Sequence, residues 1–141
     1  MNFRNIIRRL GNLFPKEPLG RRGEAAAARY LRRRGKKILA RSDSLGMGEL
    51  DLVVLDRGTI VFVEVKTRQS QEAGHPAEAV DDQKQRRLTR LAVTFLKRHG
   101  LLEYPARFDV IAVTWAPNRR RPLIEHIPTA FDAVGKWELY S

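Results

Sequence analysis

Charged residues interrupt two strands that are otherwise apolar, and this pattern constrains the chain more than any other feature. GELDLVVLD (Gly48 to Asp56) and TIVFVEVK (Thr59 to Lys66) are rich in Val, Ile, Leu and Phe. Arg57-Gly58 separates them, the pattern of adjacent β-strands joined by a tight turn. Asp51, Glu64 and Lys66 lie inside or at the end of these runs. An unpaired charge in a buried strand is costly, so each of the three needs a compensating partner. Two carboxylates beside an ammonium suit a hard divalent cation, Mg²⁺ or Mn²⁺, together with a phosphate.

Alternation refines the pattern. Glu64 and Lys66 share one strand face with Ile60 and Phe62, whereas Val61, Val63 and Val65 line the other. Asp51 falls opposite or diagonal to Glu64 if the hairpin register allows it, with Glu49 as a weaker ligand on the same face. The plain alternative is an ion pair between Glu64 and Lys66, with Asp51 emerging into solvent.

Two helices bear on the choice. Gly23 to Arg34 predicts a helix stopped by Gly35, in which Glu24, Ala27, Ala28 and Leu31 form one stripe. Glu24 thus faces the sheet, although an acid in a first turn is also favourable with the helix dipole. Ala77 to His99 predicts a second helix, stopped by Gly100, that places Lys84 among the apolar positions Val80, Leu88, Leu91 and Phe95, flanked by Arg87. Two inward charges from separate helices, aimed at a sheet already holding three, favour a site over chance.

The remaining elements complete an α/β domain. Lys36 to Leu45 predicts a charged edge strand, Thr67 to Pro76 a polar loop, and Arg107 to Trp115 a buried strand. A basic turn follows at Pro117 to Pro122, and Pro122 to Ile127 offers a last edge strand. The order is α-β-β-β-α-β: a mixed central sheet flanked by helices over residues 20–141. Residues 1–19 read as a basic amphipathic extension ended by Pro15 and Pro18, able to lie on a membrane, on nucleic acid or on its own domain.

A net charge of +11 over 141 residues and a pI near 10.8 favour a polyanionic partner, DNA or structured nucleic acid before an anionic membrane. Arg32, Arg33 and Arg34 head a cluster with Arg21, Arg22, Arg29, Lys36 and Lys37, and Arg119 to Arg121 form a second. Arg68, just past the charged strand, is placed to meet a phosphate near a metal. Many of these charges are expected to be ordinary solvated surface. Tyr30, Trp115 and Trp137 read as core or rim packing, and His75, His99 and His126 lack metal-ligand spacing. Asp109 has a ready ion-pair partner in Arg107. With no cysteine, disulfides and thiolate sites are excluded, which fits a cytoplasmic protein. No run reaches the about 20 apolar residues of a transmembrane segment, and no secretory signal is expected.

The ordered set GEAAAARYL, GELDLVV, FVEVKTR, AVDDQKQRRL and RFDVIAV resembles the YraN or UPF0102 family, over roughly Leu19 to Trp115. That family is similar in fold to the PD-(D/E)xK nucleases and the archaeal Holliday-junction resolvases. The resemblance implies a restriction-endonuclease-like fold, with Asp51 as the signature aspartate and Glu64-Val65-Lys66 as the (D/E)xK triplet. It further matches Glu24 to the helix-one glutamate of the resolvase-like branch and Lys84 to the basic position of the next helix. Leu50 stands where the signature has proline. The function implied is metal-dependent phosphodiester hydrolysis by a homodimer. Asp51 and Glu64 would hold the metal, Glu24 would act as a second-site ligand or water-orienting group, and Lys66 would stabilise charge in the transition state. The alternative is a non-catalytic nucleic-acid-binding or partner-binding module that keeps the nuclease fold.

Overall fold

A computed structural model describes residue 6 and residues 22–41, 50–69, 74–75 and 80–132. Among them, two helices and five strands run α1 (Arg22–Arg33), β1 (Lys37–Arg41), β2 (Leu52–Asp56), β3 (Thr59–Arg68), α2 (Asp82–Arg98), β4 (Ala106–Thr114) and β5 (Leu123–Phe131). The strands lie in the order β1-β2-β3-β4-β5; β3 and β4 are parallel and the other neighbours antiparallel. This is the expected mixed sheet flanked by helices, consistent with a nuclease-like fold.

The hairpin between β2 and β3 closes in two residues. Arg57 (φ 50°) and Gly58 (φ 86°) are both left-handed, as in the primed turns whose twist matches that of paired strands. Asp56 pairs with Thr59, and the ladder runs without a shift to Leu52 and Val63.

Alternation then divides the sheet between the helices. Leu52, Val54, Val61, Val63, Ile111 and Val113 pack with Ala26, Ala27, Ala28 and Leu31 of α1. Small alanines let this helix sit close, and at Gly23 a Cβ would collide with Thr67 Oγ1. Val53, Leu55, Ile60, Phe62 and Val110 turn the other way, towards Leu88, Ala92, Phe95 and Leu96 of α2. There Phe62 meets Phe95 edge-on at 5.8 Å and Phe108 at 5.7 Å. Ile6 is buried in this second cluster; the rest of the proposed extension lies outside the described residues.

Several boundaries differ from the sequence reading. β3 continues to Arg68 because β4 partners it that far, up to the pair Arg68–Thr114. α2 begins at Asp82 rather than Ala77, since the Asp81 side chain accepts from the Lys84 amide and caps the helix there. Val80 is therefore buried ahead of the helix and not on it. The expected last edge strand is present and longer: β5 spans nine residues and continues through Pro128 to Phe131.

Asp109 explains how β5 is held. The β4–β5 register shifts between Phe108 and Val110, and the Asp109 carboxylate, 1% exposed, fills the irregularity. It accepts from Arg107 Nε (3.1 Å) and from the Thr129 amide (2.9 Å), and pairs with His126 Nε2 (2.8 Å). Arg107 also reaches Asp56 at 2.7 Å, tying β4 to β2. Burial would raise the Asp109 pKa, but His126, Arg107 and the Thr129 amide together hold it below the ordinary carboxylate value. The Asp109–Arg107 pair matches the sequence reading, whereas His126 has a structural partner that reading did not assign. Asp109→Ala strands these donors, so urea denaturation should show a loss of about 3 kcal/mol or more. A change below about 1 kcal/mol would remove Asp109 as the anchor of β5.

Candidate active site

Extending the hairpin register one step beyond Leu52–Val63 sets Asp51 across from Glu64. The regular ladder stops there, and the Val65 amide donates instead to Asp51 Oδ2 at 2.8 Å. β3 remains paired with β4 on its other side, so the sheet forks at this point. The fork opens into a cavity of about 530 Å³, lined by Arg22, Gly23, Glu24 and Asp51 and by Val65, Thr67, Arg68, Gln69 and Trp115. The Arg22 guanidinium lies 4.7 Å from the centre of the Trp115 ring.

Glu64, 6% exposed, lies behind Asp51 and not in the cavity lining. Lys84 Nζ approaches Glu64 Oε1 to 2.5 Å from α2, and Lys66 Nζ stands 3.9 Å from the same oxygen. Glu24, 5% exposed, reaches the cleft from α1 on the opposite face of the sheet. Asp51, Glu64, Lys66 and Lys84 are thus assembled at one strand end, with Glu24 across the fork. Among the described residues no group of three or more His, Cys, Asp or Glu is arranged to hold a metal ion. Glu49 lies outside the described residues.

Electrostatics mark Asp51. Burial, and next the Glu64 charge, push its pKa up to about 8; the Val65 amide opposes them and Glu24 adds to the rise. Lys66 is pulled below the usual lysine value, first by burial and then by neighbouring Lys84. Burial would lower Lys84 too, but its bond to Glu64 reverses the outcome and raises it. Burial and crowded acids thus favour the protonated form of Asp51 in the chain alone.

The arginines divide. Arg68 lines the cleft and is held by Thr114 Oγ1 (3.1 Å), by the Gly74 carbonyl (2.8 Å) and by Glu125 (3.7 Å). Arg33 and Arg34 line a separate groove between α1 and β5, and Arg32 is exposed beside them. Arg87 is exposed on α2, one turn past Lys84. Sequence reasoning did not find the Val65 amide as the anchor of Asp51, nor Arg22 and Trp115 as cleft walls. The signal for Trp115 is its alternation with Ile111 and Val113, which puts it on the α1 face beyond the end of β4.

A pH dependence follows from Asp51. Its folded pKa lies above the unfolded value, so the stability it contributes is fully present below about pH 4 and is lost as pH rises through about 8. In chelator-treated protein, wild type minus Asp51→Asn should therefore lose stability between about pH 5 and about pH 8 in urea titrations. A flat difference would show that the carboxylate ionises normally.

Fold and site together define a mixed α/β protein with a carboxylate–lysine cluster at a fork in its central sheet. The model of the Uncharacterised protein family UPF0102 matches residues 23–113, which include every residue of the cluster. A UPF0102 protein of Rhodopirellula baltica is 48% identical over 135 residues, covering 94% of this chain and 81% of that protein. Another, of Anaeromyxobacter dehalogenans, is 45% identical and covers 86% and 89%; one of Geobacter metallireducens is 47% identical and covers 81% and 92%. The chain belongs to the UPF0102 family.

Proposed function

We propose that this protein is a divalent-metal-dependent nuclease that hydrolyses phosphodiesters in DNA or structured nucleic acid. The observation that carries the reading is Asp51 set across from Glu64 at the mouth of a cleft, with Lys66 within 4 Å of the same carboxylate. Two carboxylates fit Mg²⁺ or Mn²⁺, because such ions take one or two protein acids and complete their shell with water and phosphate oxygens. The raised Asp51 pKa supports the same fit, since like charges crowded together favour a cation. When bound, the ion would supply Lewis acidity towards the phosphate and a more acidic water.

The chain's own residues have distinct tasks in this proposal. The Val65 amide fixes the aim of Asp51, and Glu24 orients water from across the fork. Lys66 places positive charge where negative charge grows on the phosphate in the transition state. Lys84 holds Glu64 in place and offers its remaining donors to a non-bridging oxygen. Arg68, restrained by three partners, meets the backbone at the cleft rim. A cytoplasmic location and the homodimer implied by the resolvase-like resemblance belong to the same proposal. Among the described residues no helix is long and apolar enough to cross a membrane.

A second reading, a non-catalytic nucleic-acid-binding or partner-binding module, draws support from one observation. Lys84 gives Glu64 an ion-pair partner from within the chain. The readings separate on labelled duplex, single-stranded, flap and four-way-junction DNA with Mg²⁺ or Mn²⁺. Wild type should cleave at least one of these, and Lys66→Met should retain binding while losing about a hundredfold or more in rate. Binding without cleavage, on every substrate and with either metal, decides for the module. Calorimetric titration with Mn²⁺ checks the ligand set independently: Asp51→Ala should abolish the binding seen in wild type.

A further inference from the structure

The cleft does not account for the strongest basic feature of the surface. Arg22, Ala26, Arg29 and Arg33 recur at i, i+4, i+7 and i+11, one continuous stripe along α1. Arg22 lines the candidate active-site cleft, whereas Arg29 and Arg33 line a second concavity of about 280 Å³ between α1 and the start of β5. Arg121 enters this groove from the turn before β5, and Pro122, Ile124 and Ala26 form its apolar floor. Arg34 completes it, held 3.7 Å over the Tyr30 ring. Among the described residues, four arginines line the groove and no acid does.

We infer that this groove is a phosphate-backbone track, along which a nucleic-acid strand runs between the candidate active site and the α1–β5 edge. The inference rests on the nucleic-acid reading above and adds where the strand lies. A rise of 1.5 Å per residue sets Arg29 about 10 Å and Arg33 about 16 Å from Arg22 along the helix axis. At about 3.4 Å per nucleotide on one strand of a duplex, the stripe spans on the order of three to five phosphates. Guanidinium forks match phosphate oxygens in pairs, so an all-arginine lining suits a backbone. A membrane is a poorer fit: among the described residues Leu123, 38% exposed, is the only exposed large apolar side chain, too little for interfacial insertion.

Two triple variants test the assignment by fluorescence anisotropy on a labelled DNA duplex across a salt series. Arg29→Ala/Arg33→Ala/Arg121→Ala removes the track. Arg86→Ala/Arg90→Ala/Arg98→Ala removes equal charge from α2, and thermal melts check that both variants remain folded. The track variant should flatten the slope of log K against log[salt] by about 2 to 3, roughly one per lost phosphate contact, and the control should change it by less than about 1. Equal slopes in the two variants, or a wild-type slope in the track variant, overturn the inference. So does wild type that ignores the duplex yet binds vesicles of anionic lipid through these arginines. A small phosphodiester too short to enter the groove separates this result from the hydrolytic reading. With Mn²⁺ wild type should hydrolyse it, and Lys66→Met should lower that rate about a hundredfold or more. If wild type leaves the diester and the duplex uncut while the track variant still flattens the slope, the track stands and the hydrolytic reading falls.

Discussion

A two-residue turn governs the placement of everything that matters in this protein. Because Arg57 and Gly58 close the hairpin with no residue to spare, each position on β2 has one fixed partner on β3. Slippage by one residue would send Asp51 to the α1 face and move Val53 and Leu55 out of the Phe62 cluster. The apolar residues and the acids therefore enforce the same register. Packing on both faces makes that register costly to leave, and the candidate site inherits its geometry from the core.

Asp51 and Asp109, at the two strands that flank β3, show how one residue type acquires opposite properties in one sheet. Each interrupts an apolar run, and burial disfavours the charge on both. Asp109 is surrounded by donors from Arg107, His126 and Thr129, which stabilise its ionised form. Asp51 has one amide from Val65 and faces two further acids, so its proton is held tightly. The first environment is electrostatically complete within the chain, as expected of an anchor. The second is complete only with a proton or another cation, a feature that concentrates at functional sites.

Much of this was legible in the sequence, for a physical reason. Alternation along Thr59 to Lys66 separates the Glu64 face from the valine face, and those faces pack on different helices. The stripe of Glu24, Ala27, Ala28 and Leu31 likewise identifies the buried side of α1. Features set by the mutual placement of distant elements were not legible. The bond from Lys84 to Glu64 depends on where α2 lies across the sheet, and the pairing of His126 with Asp109 depends on a register shift that no local pattern announces. The last strand was read too short because it alternates only weakly between half-buried and exposed positions, and because Pro128 resembles a terminator.

The irregular end of β5 also limits how copies of this sheet can meet. Among the described residues β1 and β5 are its borders, and a border strand with free amides is a template for another chain. In β5, Pro128 has no amide hydrogen, Thr129 takes a left-handed φ of 48°, and its amide is already given to Asp109. That border is closed to continuous strand addition. Among the described residues, growth of the sheet from one molecule to the next is left with short stretches, the five residues of β1 and the part of β5 ahead of Pro128, so self-association that buries a larger area would use helices or side-chain surfaces instead.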